Sequence, residues 1–371
     1  MAASLSSPTA GMDEFDFAAY LQNNLQGGTT INVDRLAGGG NNLTVRASFS
    51  PAARIDNALY TTIVLKYAPP YIASRPEIAA SVYRQTVEAR ALALLSKPKT
   101  SLLGAVRFPR LIKHDEAANV LWMTDLAEMT CMAEWLALPK TTPALAAKAG
   151  AELGRSLANF WTCTRNPSVD LVARFRTDRG PPPEIVAQNC ATVFRLLDEV
   201  VAAPDAVELT ERYKDAYKSP EPRDNCLGIA DLWMGSVLLG KDGEVALCDW
   251  EFFGQSDAGA ELGMLLGSIR SFTLTASTPP SARIAASSFV VSLLASYTSF
   301  DSAEHNPGFL RRLLLAYVRE VFCHEDEFEG KVRQDAIQSW TQILRAAGPE
   351  GGQVTLKLIS EQETEFLKGL W

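Results

Sequence analysis

The sequence predicts an α+β protein of two lobes: a small lobe built on an antiparallel sheet with one long helix, and a large lobe that is mostly helical. Three observations carry this expectation. Up to about residue 124, apolar and β-branched residues gather in short strand-like runs, and from residue 125 they recur at helical spacing. A short apolar hairpin closed by Asp242-Gly243 interrupts the helical part. At 371 residues the chain exceeds one small core and suits two units, and a hydrophobic content of 47% belongs to a folded chain.

Residues 1–12 read as a disordered start. Asp13 reads as the cap of a helix over 14–25, which carries Phe17, Tyr20, Leu21 and Leu25 on one side and ends at Gly27-Gly28. Strand-like runs follow at 31–36, 43–49 and 59–67; a helix opening at Pro76 runs to about residue 96; runs at 106–114 and 120–123 bring the strands to five. The change of pattern at Met123-Thr124-Asp125-Leu126 divides a lobe over 13–124 from one over 125–371. Helical periodicity then marks 143–164, 184–201, 209–218, 258–270, 281–299, 309–322, 331–346 and 356–370. Pro181-Pro182-Pro183 opens a helix, since three prolines are too few for a recognition tract.

Composition excludes several classes. A net charge of −8 without any basic stretch argues against nucleic acid or an anionic membrane surface as partner. The six cysteines stand singly, with no Cys-x-x-Cys pair and no histidine at metal spacing, which excludes a zinc site or disulfide framework and fits a reducing compartment. Residues 1–12 lack a basic start and an apolar run, and nowhere do 18 apolar residues run uninterrupted, so a cytoplasmic protein without a membrane span is expected.

The candidate site residues come in a definite order. Gly38-Gly39-Gly40-Asn41-Asn42 lies between two strands, and because Leu43-Thr44-Val45-Arg46 continues as a strand this is a hairpin turn, not a dinucleotide fingerprint. Lys66 sits in the apolar run Thr61-Thr62-Ile63-Val64-Leu65-Lys66-Tyr67, where a lone ammonium is costly to bury, and Glu88 on the following helix is its candidate partner. Asp231 and Asp249 fall on adjacent loops joined by the tight hairpin, a frame rigid enough to aim both carboxylates at one point, and Glu251 follows two residues later.

This ordered set, from about residue 31 to 267, resembles the aminoglycoside phosphotransferase and choline kinase family, whose fold is protein-kinase-like, and within it the methylthioribose kinases most of all. The family carries His-Gly-Asp-x-x-x-x-Asn in its catalytic loop; here Ile229, Ala230 and Ser236 stand in place of His, Gly and Asn. The methylthioribose kinase pattern looks like Asp-Leu-x-x-Gly-Ser followed by Asp-x-Glu, as Asp231-Leu232-Trp233-Met234-Gly235-Ser236 and Asp249-Trp250-Glu251 read. The resemblance implies ATP- and Mg²⁺-dependent transfer of phosphate to a hydroxyl of a small molecule. It implies nucleotide contacts at Gly38, Gly39, Gly40, Asn42, Lys66, Glu88, Met123 and Asp125, a base or orienting carboxylate at Asp231, and metal ligation by Asp249, Glu251 and Ser236. Trp233, Trp250, Arg311 and Arg312 are the candidates for the acceptor pocket, with Trp122 and Trp161 behind them; each has the alternative of a core tryptophan or a surface arginine. Ile229 and Ala230 support a second reading, a kinase-like protein that has given up phosphoryl transfer and serves as a binding protein or a repurposed enzyme. A protein kinase is set aside because no Ala-Pro-Glu segment follows Asp249.

Overall fold

The computed structural model describes residues 15–25, 29–36, 39–97, 102–126, 128–175, 183–218, 226–300, 307–348 and 361–367. The chain divides into two compact units, Met1–Val82 with Ile112–Asp125, and Tyr83–Leu111 with Leu126–Trp371.

The first unit holds helix α1 (Phe17–Asn24) and strands β1 (Thr30–Arg35), β2 (Leu43–Ile55), β3 (Ala58–Tyr67), β4 (Tyr71–Ile72), β5 (Arg75–Ala79), β6 (Leu111–Asp115, within this unit from Ile112) and β7 (Val120–Thr124). Five strands form one sheet in the order β1-β2-β3-β7-β6, with antiparallel pairing of β1 to β2, β2 to β3 and β3 to β7. Alternation in β2 turns Val45, Ala47 and Phe49 inward, where they join Ile63, Leu65 and Trp122 and the helix residues Phe17 and Leu21 in one core. Asp13 lies outside the described residues; Asp16 caps α1 instead, its carboxylate accepting from the Ala19 N–H at 2.9 Å.

Two elements depart from the sequence expectation. The helix expected from Pro76 is preceded by the two-stranded β4–β5 hairpin and begins only at Tyr83, because an edge strand tolerates a proline that has no N–H to offer. The strand expected from 106 starts at Leu111: Arg107 makes a single parallel bridge to Ala246, and Pro109 interrupts any ladder beyond it.

The second unit holds α2 (Tyr83–Leu95), β8 (Thr130–Cys131), α3 (Met132–Ala137), α4 (Pro143–Cys163), α5 (Val169–Ala173), α6 (Pro183–Asp198), α7 (Ala203–Lys214), β9 (Cys226–Gly228), β10 (Val237–Leu239), β11 (Val245–Leu247) and β12 (Gly254–Ser256). Helices α8 (Ala258–Leu274), α9 (Pro280–Phe300), α10 (Pro307–Phe322), α11 (Gly330–Ala346) and α12 (Glu361–Phe366) complete it. Strands β8, β10 and β11 form one small sheet and β9 pairs with β12. Of the helix expected over 356–370, the described residues contain α12. No described helix is long and apolar enough to cross a membrane.

Two helix pairs frame this unit, and both depend on glycine. A Cβ at Gly150 or Gly154 of α4 would lie 2.1 or 2.2 Å from the carbonyl oxygen of Phe289 or Leu293 on α9. On α8, a Cβ at Gly259, Gly263 or Gly267 would meet the carbonyl oxygen of Phe309, Leu313 or Tyr317 at 2.6, 2.1 and 2.7 Å. The spacing of four keeps the three glycines on one face, so α8 and α10 approach backbone to backbone. Gly263→Ala is expected to destabilise the protein by about 1–3 kcal/mol or more, because the added methyl meets a fixed carbonyl rather than a flexible side chain. Urea unfolding of the variant checks this, and an unchanged midpoint would contradict the close approach.

Candidate active site

In the first unit the glycine turn is tied down by the β4–β5 hairpin. Gly38 lies outside the described residues; Gly39 has a φ of +77°, a conformation side chains resist, and Gly40 accepts the Ser74 N–H at 2.8 Å. A Cβ on Gly40 would meet the Ser74 hydroxyl at 2.9 Å. Asn42 is buried just before β2, and Lys66 is buried near the end of β3, facing Thr44 and Leu121 across the sheet. Met123 is buried in β7 opposite Val64.

In the second unit β9 ends at Gly228 and leads into an irregular loop, residues 229–233, followed by a single 3₁₀ turn (Met234–Ser236) and β10. Backbone N–H groups without a ladder need acceptors, and α8 supplies them. Glu261 accepts from Ile229 N–H at 3.2 Å and from Ala230 N–H at 2.7 Å, and the Ser268 hydroxyl accepts from Met234 N–H at 3.2 Å. Glu261 lies where a Cβ of residue 228 would be, its Oε1 only 1.8 Å from that position, so position 228 has room for glycine alone. Ala230 has a φ of +62° and Asp249 one of +66°, left-handed conformations that cost a side-chain-bearing residue about 1–2 kcal/mol. Both strained residues adjoin or are the acids singled out by sequence, as strain held by its surroundings often does at working sites.

Asp231 is half-buried on this loop. Burial, followed by the charges of Asp249, Glu320 and Glu251, pushes its carboxyl well above the ordinary carboxylate range, against which Arg319 pulls. Beyond the β10–β11 hairpin, one carboxylate oxygen each from Glu88, Asp249 and Glu251 lies within 4.8 Å of the others. Glu88 of α2 accepts the Trp250 N–H at 3.2 Å, which ties that helix to the 249–251 loop. Arg84, one turn earlier on α2, stands 4.0 Å from Glu251, both side chains being almost fully buried.

Several sequence assignments change. The Ser236 hydroxyl is buried, donates to the Trp233 carbonyl at 2.8 Å and accepts the Trp233 N–H at 3.0 Å; it closes the turn and does not reach toward a metal. Trp250 is fully buried against Phe160 and Phe253, with its Nε1–H on the Leu247 carbonyl at 3.2 Å, so it is core and not pocket lining. Trp122 and Trp161 are core as well. Arg311 donates to the Asp215 carboxylate and to the carbonyls of Ala347 and Gly348. Arg312 grips Asp257, the N-cap of α8, at 2.9 Å and the carbonyls of Asp215 and Lys218. Both guanidinium groups therefore brace the helices around α8 in place of an acceptor. In the first unit, both Asp125 oxygens take Arg46 donors at 2.8 and 3.1 Å, which commits that carboxylate to the sheet rather than to a nucleotide. Trp233 is half-buried on the loop, with its ring lying over Gly235.

No protein-family profile matches the chain. Its sequence is 27% identical over 256 residues to the 4-hydroxytryptamine kinase of Psilocybe cyanescens, covering 63% of this chain and 66% of that relative, and 27% identical over 259 residues to that of Psilocybe cubensis, covering 64% and 67%. In sequence the chain is thus similar to curated small-molecule kinases. The match to the first of these relatives spans just under two thirds of its length. Among solved structures, the choline kinase of Cryptosporidium parvum aligns with a TM-score of 0.48 and 10% identity over 85% of this chain and 89% of that one. The aminoglycoside phosphotransferase APH(2″)-IIa, in a ternary complex with streptomycin and ATP, aligns with a TM-score of 0.47 and 13% identity over 90% and 99%. The α+β class read from the sequence stands, with an antiparallel sheet in the first unit and mostly helices in the second, whereas the likeness to methylthioribose kinases rests on motifs alone.

The site residues that sequence reading missed are Glu261 and Ser268. Burial raises the Glu261 carboxyl to about 7 despite the hydrogen bonds from Ser256, Ala230 and Ile229 that oppose the rise. An acid whose folded pKa is raised binds a proton that the unfolded chain has lost, so its stabilising share is full below about 4.5 and falls away as pH climbs to about 7. Relative to Glu261→Gln, the parent is expected to lose on the order of 3 kcal/mol between those two pH values and little above them. Parallel urea titrations of both proteins from pH 4.5 to 8 measure the difference; a constant offset across the range would refute it.

Proposed function

We propose that the chain is an ATP- and Mg²⁺-dependent O-phosphotransferase that acts on a hydroxyl of a small molecule. The observation that carries this is the convergence of Asp231, on a strained loop held by α8, with the charges of Asp249 and Glu251 beyond one short hairpin. The likeness to 4-hydroxytryptamine kinases supports the same reaction class.

The donor set suits a hard divalent cation. Three carboxylates offer oxygens only, and ligands on one octahedral Mg²⁺ sit about 2.9–4.2 Å apart, so a spread of up to 4.8 Å needs only a small contraction. Glu88, Asp249 and Glu251 would hold the ion, which when bound would neutralise charge on the nucleotide phosphates. Asp231 accepts the proton of the acceptor hydroxyl as the general base or orienting carboxylate. Lys66, with the glycine turn Gly38, Gly39 and Gly40 and Asn42, keeps its assignment to the nucleotide phosphates, and Trp233 its assignment to the acceptor side.

The two acids separate by experiment. Asp249→Ala is expected to abolish the thermal shift produced by Mg-ATP, while Asp231→Asn keeps that shift and loses turnover by about 10²–10⁴-fold, since general-base help acts mainly in the transition state. ADP release, measured with hydroxyl-bearing amines and sugars as acceptors, reads the second effect. If both variants lose the shift equally, the division of roles is wrong; if the parent shows neither shift nor ADP release, the fold has been put to another use.

Glu88 distinguishes the three-acid site from a two-acid one. Glu88→Gln is expected to raise the Mg²⁺ concentration for half-maximal nucleotide binding by at least tenfold, about 1.4 kcal/mol, while Lys66→Ala weakens nucleotide binding at every Mg²⁺ concentration. An unchanged Mg²⁺ midpoint in Glu88→Gln would leave Asp249 and Glu251 as the metal carboxylates.

A further inference from the structure

We propose that Arg319 selects the acceptor by receiving a carboxylate or another oxyanion of a planar, hydroxyl-bearing molecule beside the 229–236 loop. The proposal rests on the acceptor-site reading given under the proposed function and names the chemistry of what enters. Helix α8 is buried at every position from Glu261 to Ser271 except Met264, and α10 at every position from Leu313 to Phe322 except Arg319. These two openings coincide: an Arg319 Nη lies 3.2 Å from the Met264 sulfur. Met264 falls three residues after Glu261 and four before Ser268, the two side chains that hold the loop, so it shares their face of α8. The Arg319–Met264 pair therefore sits against the loop that carries Asp231 and Trp233.

The guanidinium is underused where it stands. Its contacts are the Met264 sulfur, a long 3.5 Å approach to the Ala216 carbonyl, and the face of Tyr217, whose ring centre is 5.5 Å from its central carbon. Among the described residues no carboxylate lies within ion-pair distance of it, although a guanidinium offers five N–H donors in a fork that fits an oxyanion two at a time. The charge of the neighbouring Glu320 favours the charged guanidinium without a hydrogen bond to it, while its carboxylate faces His324 at 3.4 Å; Glu320 with Glu327 raises that imidazole to about 10, so it is charged at neutral pH. Arg319 is thus a half-buried cation with vacant donors. The half-buried Tyr217 supplies a ring beside it, and the Met264 thioether an adaptable apolar contact.

Calorimetric titration of the full chain with indole-3-acetate and with tryptamine tests this, because the two probes carry opposite charges on one ring and neither requires a nucleotide. Indole-3-acetate is expected to bind at least about tenfold more tightly than tryptamine, and Arg319→Gln to abolish that preference; Arg319→Lys, which keeps the charge and loses the fork, is expected to fall between them. Thermal melting establishes that each variant is folded, and Arg319→Lys alone decides the matter if Arg319→Gln is not. Tryptamine binding as tightly as the acid, indole-3-acetate failing to bind at millimolar concentration, or a folded variant with unaltered preference would each overturn the proposal. Failure of the phosphotransferase reading is registered separately, by absence of an Mg-ATP thermal shift in the parent.

Discussion

The loop that carries Asp231 borrows its shape from a helix. Residues 229–233 have no ladder of their own, and the N–H groups of Ile229, Ala230 and Met234 find acceptors in Glu261 and Ser268 of α8. For that to work α8 must run directly under the loop, buried almost all round, as its near-continuous apolar sequence allows. Gly259, Gly263 and Gly267 permit it, by letting α10 approach backbone to backbone, and Arg312 of α10 grips the N-cap Asp257. Gly228 completes the arrangement by leaving room for the Glu261 carboxylate. Four glycines and one buried acid thus fix the backbone that carries Asp231.

The second constraint is charge. Asp231, Asp249, Glu251 and Glu320 are close enough that three of them raise the proton affinity of the first, and Glu88 joins Asp249 and Glu251 across the 249–251 loop. Packing acids in a poorly hydrated space is costly unless cations share it. Arg84 stands near Glu251 from the α2 side, His324 sits on Glu320, and Arg319 faces Tyr217 and Met264. A divalent ion among the three carboxylates would relieve the same cost, and the field that lifts Asp231 would fall once it was bound. The proton affinity of Asp231 and the occupancy of the neighbouring carboxylates are therefore one coupled property.

What the sequence revealed depended on the range of the signal. The runs that became β2 and β3 alternate clearly and have several β-branched residues, so the five-stranded sheet was legible; the helices α4, α8, α9, α10 and α11 were legible from period alone. Elements of two or three residues, such as β8, β9 and β12, are too short to carry a period, and Pro76 suits a helix start as well as an edge strand. Asp231, Asp249 and Glu251 could be picked out because their chemistry is their spacing. Glu261 and Ser268 could not, since the demand they meet is a set of backbone N–H groups some thirty residues away, which no side-chain pattern records. Arg311 and Arg312 misled for the converse reason: adjacency in sequence says nothing of the carbonyls and of Asp215 and Asp257 that claim them. Trp250, next to two acids, looked exposed until Phe160, ninety residues away, closed over it.

The departures at Ile229 and Ala230 lose much of their force in this light. The family pattern has glycine where Ala230 stands, and the φ of +62° there explains why glycine suits the position. Alanine pays about 1–2 kcal/mol for the same conformation, and it persists because the 2.7 Å bond from its N–H to Glu261 holds it there. A histidine at 229 would steady the loop through its side chain; Ile229 steadies it by being fully buried, with its own N–H on the other Glu261 oxygen. Ser236 in turn closes the 233–236 turn on itself through its own hydroxyl. Each substituted position thus keeps the loop in shape, Ala230 by its backbone N–H, Ile229 by its N–H and packing and Ser236 by its hydroxyl, so the loop that carries Asp231 is held without the family's His, Gly and Asn.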